Sequence, residues 1–142
     1  MRGGADLRYV LDASVAVSWC FHDEQDVRAD AALKLLHAGA APISPLHWWF
    51  EIRNVIMLAV RRKRVAQDET SAYFLRLDDT PIELADLPRA EAVFAVATRH
   101  RLTFYDAAYL ELAMRERIPL ATLDQALARA ATVEGVPLIG AV

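Results

Sequence analysis

"YVLDAS", residues 9–14, sets three apolar residues directly before an aspartate. Tyr9 and Val10 are residue types favoured in strands, and with Leu11 they read as the end of a short buried strand. Beyond Asp12 a second apolar segment, "SVAVSWCF", reads as a helix over Ser14–Phe21. Asp12 therefore stands at the carboxyl end of a strand, on the turn into a helix. An export leader built on Arg2, Arg8 and this apolar run is opposed by the same aspartate, which puts a charge inside the would-be apolar region.

The alternation continues outward from that point. Brief apolar runs at Leu7–Leu11, Pro42–Ser44, Ile82–Leu84, Leu120–Thr122 and Val136–Ile139 read as strands. Helical patterns fill the gaps: Asp26–His37 stopping at Gly39, Leu46–Arg62, Glu69–Leu77, Pro88–Arg99, Ala107–Arg117 and Gln125–Val133. Strand and helix in turn predict a single α/β domain over 1–142, its core spanning about 7–140, with a mainly parallel sheet of about five strands flanked by helices. In such sheets ligands bind beyond the carboxyl ends of the strands. Asp12 follows the first strand and Asp124 the fourth, so both belong at that end.

Composition narrows the function classes. The 142 residues suffice for one hydrophobic core, and 55% apolar with 25% charged residues is ordinary for a soluble protein. The lone Cys20 offers neither an internal disulfide nor a thiolate pair for a metal, which fits a reducing, cytoplasmic setting. The longest apolar stretch, "LHWWFEIRNVIMLAV", is broken by Glu51, Arg53 and Asn54, so no membrane span is expected. A net charge of −3 gives no overall basic field for nucleic acid. The run "RRKR" at 61–64 is locally basic; alone it reads as a solvated helix end favoured by the helix dipole, and it gains meaning only beside an acidic site.

Asp12, Asp106 and Asp124 each precede a helical pattern, and singly each is accounted for as a helix cap. Glu51 has no such account. In its helix Trp48, Ile52, Val55 and Ala59 repeat at core spacing, which sets Glu51 at the edge of the apolar stripe with Asn54 three residues on. A carboxylate there needs a partner: Arg53, Arg61 or a cation. Asp106 has Tyr109, Leu110 and Ala113 at i+3, i+4 and i+7, on the core side of its helix. Two like charges about 4 Å apart repel by roughly 4 kcal/mol at an effective dielectric near 20, so four gathered carboxylates ask for a divalent cation. All-oxygen donors favour Mg2+ or Mn2+. Zinc is disfavoured because His22, His37, His47 and His100 are scattered. Ser14 and Thr122 place hydroxyls beside Asp12 and Asp124, where they can orient ligands or assist a cap.

Four stretches in order, "VLDASVAVSWCFHDE", "PLHWWFEIRNVI" with "VRRKRV", "LTFYDAAYLELAMRERIPLATLD" and "GVPLIG", resemble the PIN-domain ribonucleases, in particular the VapC toxins of toxin–antitoxin pairs. The resemblance runs from about Leu7 to Ile139. It implies that Asp12, Glu51, Asp106 and Asp124 are an acidic quartet binding Mg2+ or Mn2+, supported by Ser14, Asn54 and Thr122. It further implies metal-dependent hydrolysis of RNA to 5′-phosphate and 3′-hydroxyl ends, with transfer RNA among the usual targets of such toxins. Partners implied are a homodimer mate and a VapB-type antitoxin lying in an apolar groove near Ser14–Leu36 and Ala72–Leu77. Arg53, Arg61, Arg62, Lys63 and Arg64 are the candidate RNA-binding rim. Trp48 and Trp49 are bulkier than the aliphatic residues usual before the glutamate, and either narrow the mouth of the site or fill the core. Glu24 falls where such toxins often carry a further acid. The alternatives are a PIN nuclease of RNA processing and a PIN-like module that binds without catalysis. A phosphoacceptor receiver domain fails, because it needs a lysine after a late strand and only Lys34 and Lys63 exist, both in helical stretches.

Overall fold

The computed structural model describes residues 7–21, 23 and 25–140; Arg2, His22 and Glu24, weighed above, lie outside the described residues. Four strands, β1 (Arg8–Leu11), β2 (Ala41–Ser44), β3 (Glu83–Leu84) and β4 (Leu120–Ala121), form an all-parallel sheet in the order β3-β2-β1-β4. β1 is central: Val10 stands opposite Ile43 on one side and Leu120 on the other. The fifth expected strand, Val136–Ile139, shrinks to a single parallel bridge between Leu138 and Leu120. Pro137 has no N–H to give a ladder, and Gly140 turns the chain at φ 68° just beyond.

Seven helices flank the sheet: α1 (Ala13–Cys20), α2 (Val27–His37), α3 (His47–Arg61), α4 (Thr70–Asp79), α5 (Ala90–His100), α6 (Phe104–Glu116) and α7 (Gln125–Val133). Most ends fall within two residues of the sequence expectation. α6 is the exception and starts three residues early, because the Thr103 hydroxyl, not Asp106, caps it by accepting from the Asp106 N–H at 3.1 Å. Asp106 is thereby moved into the first helical turn with its carboxylate released from cap duty.

The core explains why the strand ends are fixed. Tyr9, Val10 and Leu11 are fully buried, and the Tyr9 hydroxyl donates to the Ala32 carbonyl at 2.9 Å. α6 is buried over most of its circumference through Ala107, Tyr109, Leu110, Leu112 and Ala113, and it packs on β1. On α3 the buried residues are Trp48, Ile52, Ile56 and Ala59, with Val55 only half-buried. The α3 stripe therefore runs through Ile56 where the spacing had pointed to Val55. No helix among the described residues is long and apolar enough to cross a membrane.

Candidate active site

Asp12 stands where β1 ends. Its N–H donates to the Ala121 carbonyl at 3.0 Å, so the β1–β4 pairing runs up to the aspartate itself. Its side chain does not cap α1. Both Ser14 and Thr122 hydroxyls donate instead to one oxygen, Oδ2, each at 2.7 Å. Each hydroxyl in turn accepts a backbone N–H of the loop after β4: Leu123 to Ser14 at 2.9 Å and Asp124 to Thr122 at 3.0 Å. The carboxylate is thus clamped between the ends of two adjacent strands. It is buried, and desolvation pushes its pKa up to about 6; the two hydroxyls pull the other way, and the charges of Glu51 and Asp106 push it further up.

Glu51, in α3, meets the site from another side. Its Oε1 accepts a 2.6 Å hydrogen bond from the hydroxyl of Tyr109, a fully buried residue of α6. His47 Nε2 lies 3.3 Å from the same oxygen but off the line of a hydrogen bond, and it has no hydrogen-bond partner. The partners expected from sequence are engaged elsewhere or distant. Arg53 donates to Asp78 at 3.0 Å and to the Trp49 carbonyl, with its guanidinium 4.0 Å over the Trp49 ring. Arg61 is exposed at the far end of the helix.

Asp106 also has its pKa raised, first by burial and then by Asp124 and Glu51, against a smaller pull from Thr103 and His47. Asp124 does cap its helix, accepting the Leu127 N–H on Oδ1 at 2.8 Å. Of the three aspartates that capping could explain, it explains one. The four acids therefore share one electrostatic neighbourhood at the carboxyl ends of β1 and β4. Among the described residues, no three His, Cys, Asp or Glu side chains stand close enough to hold an ion in common as they are placed. The donor set nevertheless suits a hard cation: four carboxylates, of which Asp12 and Asp106 have raised pKa values, with no arginine or lysine bonded to any of the four among the described residues.

Beside Glu51 and Asp106 opens a groove of about 1000 Å3, walled by Trp49, Phe50, Met57, Phe74 and Tyr105 and touched by Asn54. The two tryptophans divide the roles foreseen for them: Trp48 fills the core at 3% exposure, and Trp49 lines this groove. A second groove of about 790 Å3 lies between α1, α2 and α4, lined by Ala16, Trp19, Leu33, Leu36, Ala72 and Leu77, at the stretches expected from sequence to form one. The basic run does not rim the acids. Arg62 lies eleven residues beyond Glu51, about 16 Å along the axis of an α-helix. Arg61, Arg62 and Lys63 are exposed there, and Arg64 pairs with Asp23 at 3.1 Å and covers the Phe21 ring. Tyr109 is what sequence reasoning assigned elsewhere, whereas His47, one turn before Glu51, stands beside it as a supporting neighbour. Tyr109 was legible as core, and the signal overlooked is that a buried tyrosine hydroxyl needs an acceptor.

Three solved structures share this fold. PAE2754 from Pyrobaculum aerophilum superposes with TM-score 0.66 at 23% identity, covering 94% of this chain and 90% of its own. VapC20 from Mycobacterium tuberculosis, a Sarcin-Ricin loop cleaving toxin, gives 0.61 at 17%, covering 86% and 94%. FitAcB from Neisseria gonorrhoeae gives 0.65 at 18%, covering 92% and 96%. No curated protein matches the chain in sequence. The PIN-domain profile matches residues 9–133, which takes in all four acids and every strand residue but Arg8, and the chain belongs to the PIN-domain family.

Proposed function

We propose that this PIN domain is a metal-dependent endoribonuclease and the toxin of a VapBC-type pair. The observation that carries the reading is the state of the acids: they meet hydroxyls, one backbone amide, the His47 ring and one another, while no arginine or lysine is bonded to them among the described residues. Carboxylates gathered in that condition are ionised at a cost, which a positive charge supplied from outside relieves. PIN domains are generally divalent-metal nucleases, and VapC20 is by name a cleaving toxin.

Asp12, Glu51, Asp106 and Asp124 would hold Mg2+ or Mn2+ directly or through water. When bound, the ion lowers the pKa of a water and stabilises charge developing on the phosphate oxygens. The chain supplies the rest. Ser14 and Thr122 fix Asp12 against rotation, the α7 amide does the same for Asp124, and Asn54 offers an amide on the groove wall for a phosphate or ribose oxygen. Arg53, Arg61, Arg62, Lys63 and Arg64 provide positive charge for the RNA backbone, the last four at a distance that a strand of several nucleotides spans. The groove between α1, α2 and α4 suits the apolar segment of a VapB-type antitoxin, and the toxin reading carries with it a homodimer and a cytoplasmic setting.

The test is cleavage of an RNA pool by the purified chain with Mg2+ or Mn2+, beside Asp12→Asn, Asp106→Asn and an EDTA control. Activity in the parent that disappears in all three sustains the reading. Equal cleavage in all four removes the metal mechanism, and no cleavage by the parent leaves a module that binds without this chemistry.

A further inference from the structure

We infer that Tyr109 is a positioning residue for the reaction: from the buried face of α6 it fixes Glu51 through one oxygen and leaves the other for the ligand. The inference rests on the metal reading proposed above and concerns a residue outside the acidic quartet and its neighbouring hydroxyls.

Three observations converge on it. The Tyr109 ring is fully buried, so its hydroxyl cannot move with the surface, and it reaches Glu51 Oε1 at 2.6 Å across 58 residues of chain. His47 closes the other side of the same oxygen: its ring packs edge-on to Tyr109 with centroids 4.9 Å apart, and its Nε2 lies 3.3 Å from Oε1. No hydrogen bond among the described residues falls on Oε2. Glu51, whose side chain is 39% exposed, would otherwise sample several rotamers from an open helix face.

The arrangement repeats what Asp12 shows. There two hydroxyls donate to one carboxylate oxygen, Oδ2, as the Tyr109 hydroxyl donates to Glu51 Oε1, and Asp124 likewise spends one oxygen, Oδ1, on the α7 amide. Three of the four acids are thus each held by a single oxygen. Asp106 and Tyr109 lie three residues apart on one face of α6, so a single helix face provides one acid and orients another. Preorganised ligand oxygens bind an ion more tightly because less side-chain freedom is lost on binding.

The experiment compares Tyr109→Phe with the parent and with Tyr9→Phe, which deletes the other buried tyrosine hydroxyl, the one bonded to the Ala32 carbonyl. Mn2+ binding to the metal-free proteins is measured by calorimetry and by loss of the free-ion paramagnetic resonance signal, and RNA cleavage is followed at saturating Mn2+. Tyr109→Phe should weaken Mn2+ about tenfold, within the range seen when groups supporting metal ligands are removed. Tyr9→Phe should lower the melting temperature comparably and leave Mn2+ affinity unchanged. Equal Mn2+ affinity in Tyr109→Phe and parent, or equal weakening in Tyr9→Phe, overturns the positioning role alone. A parent that binds no Mn2+ overturns the metal reading and this inference with it.

Discussion

Two clusters of charged side chains differ in whether they are electrically complete. At the end of α7, Glu134 meets His100 Nε2 at 2.6 Å and the Arg99 guanidinium, and those two partners hold its carboxyl below the usual range. At the ends of β1 and β4, Asp12 meets two hydroxyls and other acids, Asp106 meets the Thr103 hydroxyl, the His47 ring and other acids, and both carboxyls are pushed up. The first cluster fastens α5 to α7 and asks for nothing more. The second leaves its charge uncompensated, a condition that a bound cation would relieve and a fastening does not have.

The widest separation of the two clusters should appear in turnover. Asp12→Asn and Asp106→Asn are expected to lower Mn2+-dependent RNA cleavage at least a hundredfold, on the scale of removing a principal electrostatic contributor, whereas Glu134→Ala should leave kcat within about twofold. A Glu134→Ala enzyme as dead as Asp12→Asn would erase the distinction. Saturating Mn2+ comes next in size: at about a hundred times its Kd it should raise the unfolding free energy of the parent by roughly 2.7 kcal/mol. In a calorimetric melt, Asp106→Asn should show little of that rise and Glu134→Ala all of it.

Stability of the metal-free proteins should move in opposite directions. Asp12, raised from 3.8 to about 6, favours the folded state least when ionised. Its penalty is absent below about pH 4, grows between pH 4 and 6 and is complete above that. Asp12→Asn should therefore be more stable than the parent at pH 7.5, by on the order of 1 to 3 kcal/mol, and should converge with it near pH 4. Glu134 has the reverse sign. Its lowered pKa contributes stability that is present above the unfolded value and is lost as pH falls through the folded one. Glu134→Ala should cost about 1 kcal/mol at pH 7.5, and the gap should close in acid. Chemical denaturation at the two pH values checks both signs. The smallest effect is expected at the basic run, where Arg62→Ala with Lys63→Ala should raise KM for RNA a few-fold and lower the slope of log KM against log salt by about one to two, with kcat unchanged.

Much of this was legible from residues alone, and the gaps have physical causes. Strand β1 and the placement of Asp12 followed from one buried run meeting one charge, and α7 fell where Asp124 and the apolar period put it. α6 was misplaced at its start because Thr103 and Asp106, three residues apart, are both good caps, and only packing decides between them. The α3 stripe shifted from Val55 to Ile56 because both lie within reach of one helix face. Glu51 was correctly marked as needing a partner, but the partner is a phenol from a helix 58 residues away, which no local pattern reveals. Arg53 and Arg64 looked free in the sequence and are tied to Asp78 and Asp23 in the fold.

The bond from Thr122 to Asp12 spans 110 residues and joins strands that touch only through parallel pairing. Parallel partners cannot be brought together by a local turn, so a growing chain has only Ser14 to hold Asp12 until β4 has left the ribosome and docked beside β1. The chemistry proposed for the site can then begin only after β4 has closed the sheet.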